Sequence, residues 1–155
     1  MKWVESIGFL IYTGLLAVSD AKTRQLALPL ILAGCGGGLL LRAAQLIRGT
    51  LTGTELLSVY GIGLIWGLLL LLLGAASRKA VGKGDGLAFL SFALWKENAA
   101  VFSLLFLSVL LLALFGILLI LFRKKKRDLS LPLMPFVWIA ALGLTAAELL
   151  PAASP

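Results

Sequence analysis

The chain has 155 residues, of which 61% are hydrophobic and only 14% are charged, with a mean hydropathy of +1.06 and a net charge of +7. Soluble domains are roughly half apolar and a quarter charged, so this composition excludes an ordinary water-soluble domain and indicates a chain that lies in lipid. Histidine is absent and the lone Cys35 has no internal disulfide partner, which excludes histidine-dependent triads and leaves no cluster of metal ligands.

Apolar runs predict six helices, which form one all-α transmembrane bundle over residues 1–155. The predicted helices span residues 3–19, 27–47, 55–76, 82–95, 99–122 and 131–150. The fourth is short for a bilayer core of about 30 Å, and it crosses with local thinning or with Lys79 and Lys96 reaching the two interfaces. The first helix leads into Ser19-Asp20 rather than a small-residue cleavage site, so we expect no removable signal peptide.

Positive charge sets the predicted orientation. Ten of the 14 lysines and arginines follow the first, third and fifth helices: Lys22, Arg24, Arg78, Lys79, Lys83 and Arg123 to Arg127. Because basic residues collect on the cytoplasmic side, these segments should face the cytoplasm and both termini should lie outside. Without the fourth helix the run 123–127 would face the other way, so the charges also favour six crossings. The same rule accounts for the positive net charge, so we expect no nucleic-acid partner. The run 123–127 alternatively fits an anionic-lipid site.

Two of the seven acidic residues stand apart from the rest. The others fall near predicted helix ends or in connecting segments, where a solvated carboxylate needs no special role: Glu5, Glu55, Glu97, Asp128 and Glu148. Asp20 and Asp85 lie at helix boundaries on the same predicted side, and an ionisable residue at membrane depth indicates function. Two converging carboxyl groups can divide the general acid and general base roles, because it is costly for both to ionise. The alternative is ion pairing of Asp20 with Lys22 or Arg24, and of Asp85 with Lys83.

Glycines surround the second of these aspartates. Gly82-Lys83-Gly84-Asp85-Gly86 directly precedes an apolar helix, and glycine permits close backbone approach and unusual dihedral angles. A phosphate-binding loop is disfavoured, because the segment lacks the GKS or GKT ending and a preceding strand. Further small residues are predicted to permit close helix packing: Cys-Gly-Gly-Gly at residues 35–38, and Gly61, Gly63 and Gly67.

Three segments together resemble the type IV prepilin peptidases, which belong to the GxGD class of intramembrane aspartyl proteases. Residues 82–85, Gly-Lys-Gly-Asp, are similar to the family signature at the start of its fourth helix. Residues 19–24, Ser-Asp-Ala-Lys-Thr-Arg, are similar to the segment that holds the first catalytic aspartate, and residues 131–136, Leu-Pro-Leu-Met-Pro-Phe, to the proline-containing entry to the sixth helix. The resemblance covers most of the chain. It implies that Asp20 and Asp85 are catalytic, with Gly82, Lys83 and Gly84 as the supporting motif.

The resemblance also implies a function. The expected activity is that of an aspartic endopeptidase, without cofactor or metal, that removes leader peptides from prepilin or pseudopilin precursors at the cytoplasmic face of a bacterial or archaeal inner membrane. The expected partners are these precursors and membrane lipid, and Lys22 and Arg24 are candidates for recognising an acidic residue near the cleavage junction. The methyltransferase region of longer family members is absent, so we expect cleavage without N-methylation. Two departures lie near the motifs: residues 26–28 are Leu-Ala-Leu where the family often has Ile-Pro-Asn, and Leu87 stands where it commonly has lysine.

Two other functions remain open at this point. One is a small transporter or channel that uses Asp20 and Asp85 to bind protons or cations. An inverted repeat or acids spread across the membrane depth would favour it, and the sequence has no convincing repeat. The other is an inactive homologue with the same fold that assists pilus or secretion assembly.

Overall fold

The computed structural model describes residues 2–23, 26–76, 82–123 and 131–149, and of Lys2, Lys83, Arg123 and Leu149 it describes the backbone only. Within these ranges the chain forms six helices and no strand. They are α1 (Lys2–Thr23), α2 (Leu28–Ile47), α3 (Gly53–Ala76, π-helical over Leu56–Gly61), α4 (Lys83–Trp95), α5 (Asn98–Arg123) and α6 (Met134–Leu149). The predicted all-α bundle of six helices is confirmed.

Two helix boundaries differ from the prediction in ways that matter for the aspartates. Helix α1 continues past the predicted end at residue 19 to Thr23, because no helix breaker follows Ser19 and the Thr23 hydroxyl donates to the Ser19 carbonyl oxygen at 2.8 Å. Asp20 therefore lies inside the last turns of α1. Helix α6 begins at Met134 rather than at residue 131, since Pro132 has no amide hydrogen and disfavours a helical conformation of the residue before it.

Four of the helices are long and apolar enough to cross a membrane: α1, α2, α3 and α5. The apolar parts of α4 and α6 are shorter, Gly84–Trp95 and Met134–Glu148. Large apolar side chains such as Leu40, Leu57 and Phe122 are more than 70% exposed on the outside of the bundle. A surface of this kind is stable against lipid rather than against water, so the chain is a membrane protein.

The helices pack around one core in the circular order α1, α2, α4, α3, α5 and α6. Helix α4 lies deep in the core, because its side chains Ala88, Phe89, Phe92 and Ala93 are fully buried. Phe89 and Phe92 meet edge to face at a centroid distance of 5.1 Å, which is a favourable aromatic arrangement. The helix that begins at the glycine motif is thus held firmly by its neighbours.

Helices α1 and α6 run antiparallel along their whole length. The Ser6 hydroxyl donates to Glu148 near the start of α1, and the Met134 amide donates to Asp20 near its end. The beginning of α1 and the end of α6 therefore lie at the same end of the bundle, away from Asp20. We call the end that holds Asp20, Asp85 and Met134 the aspartate end, and the end that holds Ser6 and Glu148 the opposite end.

Glycine sets the spacing between α3 and α4. A Cβ atom on Gly67 would lie 2.5 Å from the Leu90 amide nitrogen, and one on Gly86 would lie 2.6 Å from the Leu71 amide nitrogen. No side chain fits at such distances, so the two backbones touch directly at both glycines. The prediction of close packing is confirmed for some of the predicted glycines and wrong for others. It is confirmed for Gly37, Gly38, Gly63 and Gly67, whereas Gly36 and Gly61 face open space.

Candidate functional site

Asp20 is held at the aspartate end by the first residue of α6. Its side chain projects from the end of α1, only 7% of the residue is exposed, and the Met134 amide donates to Oδ2 at 3.0 Å. A carboxylate that accepts an amide at a helix N-terminus satisfies one of the donors that the helix cannot satisfy internally. The contact joins residues 20 and 134 and fixes the carboxyl group between α1 and α6.

Asp85 lies in the first turn of α4, where it is half-buried. Its carboxylate turns back over Gly82, whose backbone hydrogen-bonds to it. Asp85 also lies close enough to Asp20 for a negative charge on one carboxyl group to disfavour ionisation of the other. The end of α1 and the start of α4 therefore place these two acids within electrostatic range of each other at one end of the bundle.

The glycines of the motif act through their size rather than through unusual dihedral angles. A Cβ on Gly82 would lie 2.9 Å from Oδ2 of Asp85, and one on Gly84 would lie 3.1 Å from Cδ1 of Leu26. Within the described residues, the one glycine with a positive φ is Gly49, far from the motif in sequence. The motif glycines therefore permit close approach of the Asp85 carboxylate and of the segment that leads into α2.

Three distant parts of the sequence meet at this site. Asp20 accepts a hydrogen bond from Met134 in the segment 131–136. It also lies within electrostatic range of Asp85 in the segment 82–85. Leu26, in the segment that follows the first aspartate, packs against Gly84. Two carboxyl groups within electrostatic range, one buried and one half-buried, can supply one acid and one base, which is enough for water-dependent hydrolysis without a nucleophilic side chain.

The structure describes only part of the set of basic residues that the sequence analysis singled out. Lys22 is exposed in the last turn of α1, and Arg24 lies outside the described residues. The backbone of Lys83 is the first residue of α4, but its side chain is not described, and residues 124–127 of the basic run also fall outside. Leu87, where the family commonly has lysine, is half-buried against the core.

No family model, curated protein or solved structure matches this chain. In the part of the chain that the structure describes, no group of three or more His, Cys, Asp or Glu side chains is placed to hold a metal ion.

The sequence prediction missed a buried arginine near the opposite end. Arg42 of α2 is 3% exposed, and its guanidinium donates to Oε1 of Glu5 at 2.8 Å, to the Leu94 carbonyl oxygen at 2.9 Å and to the Trp95 carbonyl oxygen. It also lies 3.9 Å from the centroid of the Tyr60 ring. Arg42 thus links α1, α2, α3 and the C-terminal end of α4. The interpretation of Glu5 as a solvated helix-end carboxylate was wrong, because its side chain is 15% exposed and ion-paired.

A second ion pair near the opposite end is more open to solvent. Lys96 lies 2.6 Å from Oε2 of Glu148 and donates to the Ser6 hydroxyl at 3.1 Å. The Glu148 side chain is 42% exposed. Lys96 follows α4 directly, so this pair joins the end of α4 to α1 and α6.

Proposed function

We propose that the chain is a membrane-embedded aspartic endopeptidase that cleaves leader peptides from type IV prepilin-like precursors, with Asp20 and Asp85 as its catalytic pair. The observation that carries the proposal is the meeting of residues 20, 82–85 and 131–136 at one end of the bundle. These are the three segments on which the resemblance to prepilin peptidases rests. Independent structural roles for the two acids would not require them to share one site.

The proposed chemistry uses one aspartate as base and the other as acid. The base removes a proton from water, whose oxygen attacks the scissile carbonyl carbon while the acid polarises the carbonyl oxygen. A proton then passes to the leaving amine as the carbon–nitrogen bond breaks, and no bond to the protein forms. Like charges at short range in a poorly solvated site favour one shared proton, which gives the pair both roles.

The proposed orientation places the aspartate end at the cytoplasmic face of a bacterial or archaeal inner membrane, with both termini outside. It is supported by exposed Lys22 at that end and by the basic segments of the sequence. The 13 residues of α4 and the 16 of α6 correspond to about 20 and 24 Å of helix, shorter than a bilayer core of about 30 Å. Local thinning of the bilayer around these helices would bring water and the cleavage junction of a precursor to the acids.

The proposal is tested with purified protein in detergent or liposomes and a panel of prepilin precursors, with products followed by mass spectrometry. Asp20→Asn and Asp85→Asn each keep the size of the side chain and remove the acid, so each should reduce cleavage by about a hundredfold or more. Glu97→Gln is the matched control, because it makes the same chemical change at an exposed residue just beyond α4, and it should retain full cleavage.

Folding of each variant is checked by its thermal unfolding in detergent. Full cleavage by either well-folded aspartate variant would contradict the proposal. A cation-coupled transporter predicts instead that both variants lose ion transport while no precursor is cut, and an inactive assembly homologue predicts no cleavage by any form of the protein.

A further inference from the structure

The first turn of α6 has one amide that points away from its own helix to a functional side chain. The carbonyl oxygen of Leu133 accepts from the amides of Phe136 at 3.0 Å and Val137 at 3.1 Å, so Leu133 caps the helix and Met134 is its first residue. Pro135 has no amide hydrogen. The Met134 amide donates instead to Oδ2 of Asp20 at 3.0 Å.

This hydrogen bond lies where the Asp20 carboxylate has little freedom. Asp20 is 7% exposed and Met134 is 1% exposed, so neither group is turned toward open solvent. The hydrogen bond from the start of α6 holds Oδ2 in place and restricts the rotation of the carboxyl group. The other carboxylate oxygen, Oδ1, takes no part in this hydrogen bond.

We propose that Met134, through its backbone amide, is a positioning residue for Asp20: it holds Oδ2, so that Oδ1 is the oxygen that exchanges a proton in the reaction. The inference rests on the proposed peptidase function. It adds that the two carboxylate oxygens of Asp20 have different roles. A side chain at residue 134 is not needed for this role. Only the amide hydrogen of residue 134 is needed for it.

A purely structural role of the same bond makes a different prediction. If Asp20 only caps α6, losing the amide lowers the stability of the bundle and leaves the turnover of the folded fraction unchanged. If the amide positions the reacting oxygen, kcat of the folded protein falls while KM is retained, because misplacing a catalytic group by about 1 Å costs roughly a hundredfold in rate.

The matched pair Met134→Pro and Met134→Ala separates these roles. Both variants remove the buried methionine side chain, but only proline removes the amide hydrogen. Proline is well tolerated as the first residue of a helix, and Leu133, which would precede it, lies outside the helix. We would measure kcat and KM for precursor cleavage in detergent, normalised to the folded fraction from thermal unfolding.

We expect kcat of Met134→Pro to be at least tenfold below that of Met134→Ala, with KM within about twofold. Equal kcat values in the two variants, or a change confined to KM, would overturn the positioning role while wild-type cleavage leaves the peptidase proposal standing. No cleavage by the wild-type protein across the precursor panel would overturn both.

A second substitution covers the case in which Met134→Pro does not fold. The hydroxy-acid analogue of methionine, introduced at residue 134 by nonsense suppression, replaces the amide N–H with an ester oxygen and keeps the side chain. A tenfold loss of kcat in this ester variant, relative to methionine introduced by the same method, supports the positioning role. Undiminished kcat in the ester variant overturns it.

Discussion

Replacement of Arg42 by methionine should destabilise the protein strongly. Arg42→Met keeps an unbranched apolar stem but removes the charge that neutralises Glu5 and the donors that satisfy the carbonyl groups of Leu94 and Trp95. Arg42 is 3% and Glu5 15% exposed, so water screens neither partner well. Removing one member of a buried ion pair costs about 3–5 kcal/mol, because the other charge is left uncompensated. We expect a loss in this range.

The assay is reversible unfolding in mixed detergent micelles, with a second ion pair as the matched control. Lys96→Met removes a cation near the same end of the bundle, but its partner Glu148 is 42% exposed, so the expected loss is about 0–1 kcal/mol. The double variant Arg42→Met/Glu5→Gln should recover part of the loss, since it also removes the stranded carboxylate. Equal losses for Arg42→Met and Lys96→Met would refute the reasoning from burial.

Two further predictions concern packing and orientation. Gly86→Ala should destabilise the protein by about 1–3 kcal/mol because its Cβ would press on the α3 backbone, whereas Gly36→Ala, with nothing within 4 Å, should be neutral or stabilising in the same unfolding assay. Equal effects would contradict the account of α3–α4 contact. Cysteines placed at Lys22, Lys79 and Lys125 in a Cys35→Ser background should react with a membrane-impermeant thiol reagent only after the cytoplasmic face is opened. Labelling in intact cells would contradict the proposed orientation.

The helices and the shared end of the two acids were predictable because each depends on local pattern. Apolar runs define the helices, and alternating helix direction places the end of α1 with the start of α4. The close packing at Gly67 could also be predicted from the sequence, since a small residue in an apolar run indicates close helix contact. The structural reason for glycine at residue 82 could not be predicted, because the sequence is compatible both with an unusual dihedral angle at Gly82 and with a close approach of a neighbouring group.

The contacts that join distant residues could not be predicted from one sequence. Nothing in the pattern pairs Asp20 with Met134, since the bond depends on where α6 begins relative to α1. Arg42 had a usable indication, because an ionisable residue within an apolar run is expected to have a buried partner. The same rule that singled out the two aspartates would therefore have indicated Arg42 as well. It would not have identified Glu5 of α1 as the ion-pair partner of Arg42 in α2.

The most direct test of the central claim is whether Asp20 and Asp85 act as one unit. We would measure the single-turnover rate of precursor cleavage for the wild-type protein, Asp20→Asn, Asp85→Asn and the double variant, each normalised to its folded fraction. Residues that act together are strongly non-additive, so the double variant should be scarcely slower than either single variant. Losses that multiply in the double variant, or full activity in either single variant, would contradict a shared catalytic pair.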